Sequence, residues 1–212
     1  MKMSEELIRS LVAQHQQVRP FDARPGWAFA SIGAGAAAFG CHLVFGFRSD
    51  LLAAAPHDIV VLRATIMLVL GIAALAATVS MARPGVGKHA DGWLWVALIA
   101  SIFPLAALFA ALAGQFPAEI MHAKSGIRCL LASSIIGVGI ASGLVTWLRT
   151  AAPVRPQRLG WSVGVAAGSL ATMAYSLTCP SNSIAYVGLW YTLAVMGTAI
   201  LCRLVVPRLL RW

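Results

Sequence analysis

The sequence predicts an all-α protein: a six-helix integral membrane bundle with a short amphipathic N-terminal tail on its cytoplasmic side. Three observations carry that expectation. The 212 residues are 59% hydrophobic and only 11% charged, with a mean hydropathy of +0.81, whereas a soluble domain carries about 25% charged residues. Six apolar runs fall at roughly 27–47, 64–82, 93–113, 127–148, 159–177 and 185–206, each near the ~20 residues that take a helix across hydrocarbon. The basic residues are one-sided. Twelve of the 16 Lys and Arg lie in the tail, in the 83–92 and 149–158 connections and at the C-terminal end. The expected division is a tail at 1–26 and a six-span domain at 27–212.

The tail comes first. In SEELIRSLVAQHQQ, residues 4–17, Ser4 can cap a helix and Glu5 and Glu6 suit its positive end. Leu7, Ile8, Leu11 and Val12 then form one apolar stripe at helical spacing. Pro20 and Pro25 make a stiff connector after it. Such a helix lies on a membrane surface or fills a groove on a partner. The stripe is narrow and the tail is weakly cationic, which favours a protein partner. No small-residue cleavage site follows the first run, so it reads as a retained span.

The runs themselves are helices, because backbone groups in lipid must bond internally and the alternation of barrel strands is missing. All seven acids lie outside them: Glu5, Glu6, Asp22, Asp50, Asp58, Asp91 and Glu119. Ion-coupled transporters and proton pumps place carboxylates at mid-membrane, so that class is disfavoured. Gly160, Gly164 and Gly168 recur every four residues in the fifth run, and Gly139 and Gly143 in the fourth. These are small-residue faces for close helix packing. Pro104 can kink the third run.

The Lys and Arg bias puts both termini in the cytoplasm of a bacterial inner membrane. Trp27, Trp93, Trp95, Trp147, Trp161 and Trp212 fall near the same edges, where amphipathic rings settle. The pI of about 10.3 then reflects topology and anionic lipid. No clustered basic face points to direct nucleic-acid binding.

Of the four cysteines, Cys41 lies in the outer half of the first run and Cys202 near the cytoplasmic end of the sixth. Cys129 falls just inside the outer end of the fourth run, and Cys179 in the short outer connection TCPSNS. The last two share a face and a depth. That face is oxidising in a bacterial envelope, which permits a disulfide. Packing, disulfide, metal ligation and thiol reactivity all stay open for them. His42, His57 and His122 map to the same side and suit soft metals, but their spacing matches no compact motif. A membrane thiol oxidoreductase, the alternative class, would carry a close cysteine pair, and none occurs in the chain. No enzyme activity and no cofactor are expected.

A resemblance joins these features. LIRSLVAQ…VRPF precedes the spans, IRCLLASSI opens the fourth, and AAPVRPQRLGWSVGVAAGSLATMAYSLTCPSNSIAYVGLWYTLAVMG leads to a closing PRLLRW. Together they resemble the bacterial negative regulators of sigma F, integral membrane anti-sigma factors of an extracytoplasmic-function sigma factor. The resemblance spans essentially the whole chain, and its most specific parts are the run around Cys179 and the terminal PRLLRW. It implies that the tail holds the sigma factor at the membrane, away from RNA polymerase. It also implies that Cys129 and Cys179 take part in sensing oxidative or heavy-metal stress, which releases the sigma factor.

The topology is testable directly. Alkaline phosphatase fused after Ser181 should be active, and fused after Lys88 inactive. The reverse pattern would overturn the orientation.

Overall fold

A computed structural model describes residues 22–46, 48, 57–83, 92–114, 123–151, 153 and 155–210. Among them are six helices and no strand: α1 (Arg24–Phe45), α2 (Asp58–Ala82), α3 (Gly92–Leu112), α4 (Ala123–Leu148), α5 (Pro156–Ser176) and α6 (Ile184–Leu209). Each apolar run forms one helix. Helix starts precede the apolar runs because their signals are polar. Pro25, expected in a connector, instead sits in the first turn of α1, and Pro156 does the same for α5, where the missing N–H costs nothing. His57 Nδ1 caps α2 by accepting the Ile59 N–H at 3.3 Å. Ser183 Oγ caps α6 through the Tyr186 N–H at 3.4 Å.

Among the described residues, four helices are long and apolar enough to cross a membrane: α1, α2, α4 and α6. α3 carries a shorter apolar stretch, Leu94–Ala110, and runs on through Pro104. α5 is built differently. It packs against α1, α2, α4 and α6, and nearly every residue from Leu159 to Ser176 is buried. A helix surrounded in this way meets neighbours on all faces, and most of its residues from Leu159 to Ser176 are Gly, Ala, Ser or Thr. Its hydroxyls stay satisfied locally. Ser169, Thr172 and Ser176 donate back to carbonyls three or four residues earlier. Thr78 Oγ1 on α2 reaches Ser162 Oγ at 3.1 Å.

The closest approach is between α5 and α6. A Cβ on Gly160 would stand 2.8 Å from the Cys202 carbonyl oxygen, and one on Gly168 would stand 3.1 Å from the Val195 Cα. One on Gly164 would run into the Ala199 Cα. The small-residue reading of the fourth run needs correction. Gly139 faces open space and Gly143 meets only Phe29, whereas Gly137 packs against Thr198 and the Gly168 Cα. α4 therefore turns a different stripe toward the bundle.

Contacts at the two ends show successive helices running up and down. At one end the Trp147 Nε1–H donates to the Asp22 carbonyl at 3.1 Å, and Trp161 stacks under Arg203 at 5.7 Å. At the other, the Tyr186 hydroxyl meets Ser125 Oγ at 3.2 Å, and Arg63 reaches the connection after α5. The described N- and C-terminal ends therefore lie together. Outward faces are apolar: Phe39, Val44, Leu94, Phe109, Leu112 and Ile135 are largely exposed. An exposed surface of that kind marks contact with lipid or protein.

Gly164→Leu should separate α5 from α6. Overpacking of this kind costs about 1–3 kcal/mol or more. The yield of folded protein after detergent extraction should fall, equally under oxidising and reducing conditions. Wild-type yield and melting temperature would show that this contact is dispensable.

Candidate functional site

At the end of the bundle opposite Asp22, α5 finishes and the chain crosses to α6 in seven residues, 177–183. Its first part stays wound. The Tyr175 carbonyl accepts the Thr178 N–H at 3.0 Å, the Cys179 N–H at 3.2 Å and the Thr178 hydroxyl at 2.9 Å. Pro180 then ends the turn, because it has no N–H to continue it. Ser181 Oγ accepts the Ser183 N–H at 3.4 Å, and Ser183 opens α6. These local bonds fold Cys179 inward. It is 2% exposed, so the residue expected in an outer, polar loop is in the loop but not on the surface.

Cys129 comes to the same place from α4 and is fully buried. Both thiols are free, and they lie within electrostatic reach of each other. Ser133, one turn further along α4, faces Cys129, while Tyr191 of α6 faces Cys179. The Ser133 and Tyr191 hydroxyls have no well-formed hydrogen bond, although both residues are buried. Buried polar atoms normally find partners. Here the two hydroxyls face the two sulfurs, Ser133 toward Cys129 and Tyr191 toward Cys179.

Arg63 closes the site from α2. The apolar pattern alone puts it in the outer connection, ahead of a run starting at 64. Because α2 begins at Asp58, it lies in the second turn and is 2% exposed. Its Nη2 donates to the Ser176 carbonyl at 2.8 Å and to the Cys179 carbonyl at 2.9 Å, and its Nη1 donates to the Ser181 carbonyl. Arg48 Nη1 adds a second donor to the Cys179 carbonyl at 2.6 Å. The cations sit where the α5 dipole is negative and its last carbonyls lack helical partners.

The remaining candidate residues lie elsewhere. Gly160, Gly164 and Gly168 line the α5–α6 contact, away from the thiols. Cys41 is buried in α1, and Cys202 is buried against Gly160 and Gly164. Leu7, Ile8, Leu11, Val12 and His122 lie outside the described residues. His57 caps α2. No group of three or more His, Cys, Asp or Glu able to hold a metal ion occurs among the described residues. Ser133 and Tyr191 lie inside the quoted stretches IRCLLASSI and AAPVRPQRLGWSVGVAAGSLATMAYSLTCPSNSIAYVGLWYTLAVMG without a role read for them, and Arg63 belongs to no motif that marks it. The His57-Asp58 start signal, which carries α2 past Arg63, is the available clue.

The fold and site define an all-helical bundle with an apolar exterior and two buried thiols, one on α4 and one in the α5–α6 connection. The chain belongs to the family of negative regulators of sigma F, whose family model matches residues 11–212. It is similar to the anti-sigma-F factor NrsF of Caulobacter vibrioides, 27% identical over 146 residues and 68% of each chain. It is also similar to the probable anti-sigma-F factor NrsF of Azospira oryzae, 26% identical over 147 residues and again 68% of each chain. No solved structure matches it.

Proposed function

We propose that the protein is a multi-pass inner-membrane anti-sigma factor with both termini in the cytoplasm. Its tail, through Leu7, Ile8, Leu11 and Val12, holds an extracytoplasmic-function sigma factor and releases it when oxidant or heavy metal reaches Cys129 and Cys179. Family membership supports the sigma-factor partner. The observation that supports the sensor is the joint burial of two free thiols from α4 and from the α5–α6 connection. The Ser133 and Tyr191 hydroxyls and the Arg63 guanidinium are gathered around them. The one-sided Lys and Arg and the apolar exterior support the bilayer setting.

Two reactions suit the pair. An oxidant such as a peroxide or quinone takes two protons and two electrons as two S–H groups become one S–S bond. A soft divalent metal ion takes two thiolates and displaces two protons. Either one draws the sulfurs together and shifts the short connection that carries Cys179. Because that connection joins the two most closely packed helices, its shift moves α5 and α6 against each other.

Serine keeps nearly the volume of cysteine and loses its chemistry. Cys129→Ser and Cys179→Ser should each leave a folded, sigma-binding protein whose response to oxidant or metal is blunted. The double variant should be no worse than either single one, because residues acting as a unit are non-additive. Induction of sigma-dependent genes with and without stress reads this out. A wild-type dose response in the double variant would reduce both cysteines to packing.

Truncating a central interface anchor costs about 2 kcal/mol or more. Leu11→Asp should therefore free the sigma factor, turning on its genes while the protein stays in the membrane. Co-purification retained after deletion of residues 2–17 would show that the tail is not the binding element.

A further inference from the structure

Arg63 is the one fully charged side chain buried among the described residues. A buried cation is costly unless paired, yet its acceptors among the described residues are three neutral carbonyls, and its Nε has none. All three carbonyls belong to residues 176–181, and none to its own helix. The guanidinium thus ties α2 to the end of α5 and to the segment carrying Cys179. It also lies within electrostatic reach of Cys129 and Tyr191. Sulfur reacts as thiolate, so negative charge that develops as this pair reacts arises beside Arg63. A guanidinium whose acceptors among the described residues are all neutral, with its Nε unbonded there, is suited to stabilise it.

We propose that Arg63 is the positioning residue of the dithiol. It holds Cys179 in register with Cys129 through the Ser176, Cys179 and Ser181 carbonyls, and it offsets the charge that builds on sulfur during reaction. The proposal rests on the reading of Cys129 and Cys179 as the sensing pair. It adds to that reading a residue that contributes no sulfur and lies on a third helix. A buried arginine needed only for folding would affect protein yield but not the rate at which the two thiols join.

The test uses the full-length protein in native membranes with Cys41→Ala and Cys202→Ala, so that two thiols remain. Diamide is the probe. It is an azo compound that takes up two protons and two electrons as the S–S bond forms. Bond formation is followed by the loss of maleimide–polyethylene glycol mass shift on a non-reducing gel. Arg63→Gln should slow closure at least tenfold in protein present at wild-type level. Arg63→Lys keeps the charge but donates from one nitrogen, and should fall between. Closure of the Gln variant at the wild-type rate would overturn the proposal. Should Arg63→Gln not accumulate, Arg63→Lys decides, and a rate within twofold of wild type would overturn it. The sensing reading fails separately, by full stress induction in Cys129→Ser, whereas the Arg63 measurement follows the sulfur chemistry itself.

Discussion

A helix enclosed by other helices cannot carry large side chains on every face, and this constraint shapes the molecule. α5 meets four of the other five helices, and it does so with Gly, Ala, Ser and Thr over most of its length. Close approach of the backbones lets van der Waals contact supply attraction along the whole face. At Gly164 the two backbones come so near that even a methyl group has no room. Many other large apolar side chains lie on the outside, on α1, α3 and the outer faces of α2, α4 and α6, while Leu70, Leu144, Leu159 and Tyr191 fill the interior.

The same enclosure creates a difficulty at the end of α5. Its final carbonyls point into a low-dielectric space without helical partners, and an unsatisfied buried acceptor is expensive. Water is one solution and a guanidinium is another. Arg63 supplies hydrogen bonds to three carbonyls at once because its N–H groups fan out in a plane. Among the described residues its charge meets the negative end of the α5 dipole and no carboxylate. The arrangement is stable while the carbonyls hold their places. It leaves the cation responsive to any anion that appears nearby.

Much of this architecture is legible in the sequence. The six apolar runs give the six helices, and the four-residue recurrence of Gly160, Gly164 and Gly168 reads out the tightest contact, because a helical face repeats at that spacing. Cys129 and Cys179 can be matched in depth from the order of spans alone. Other features cannot be read so. The acceptors of Arg63 are backbone carbonyls, and carbonyls look alike at every residue, so no side-chain pattern announces them. Cys179 reads as exposed because its neighbours are polar. Their hydroxyls and amides are spent on local turns, and the loop folds back over its own cysteine. The rotation of α4, which brings Gly137 rather than Gly139 inward, depends on neighbours that a single helix does not specify.

The two ends of the bundle are joined by one element in particular. α4 carries Cys129 near one end and Trp147 near the other, 18 residues apart and so about 27 Å along the helix axis. Trp147 lies against Gly26, where a Cβ would stand 2.6 Å from the ring, and its N–H holds the Asp22 carbonyl at 3.1 Å. Asp22 is the first described residue and falls within the expected tail at 1–26. An α-helix is stiff over that length. It has no internal Pro here to absorb a turn, unlike α3 and α6. A rotation of α4 that repositions Cys129 must therefore move Trp147 as well. Gly26 leaves that ring little slack, so such a displacement would bear on the start of α1, at Asp22 and Gly26.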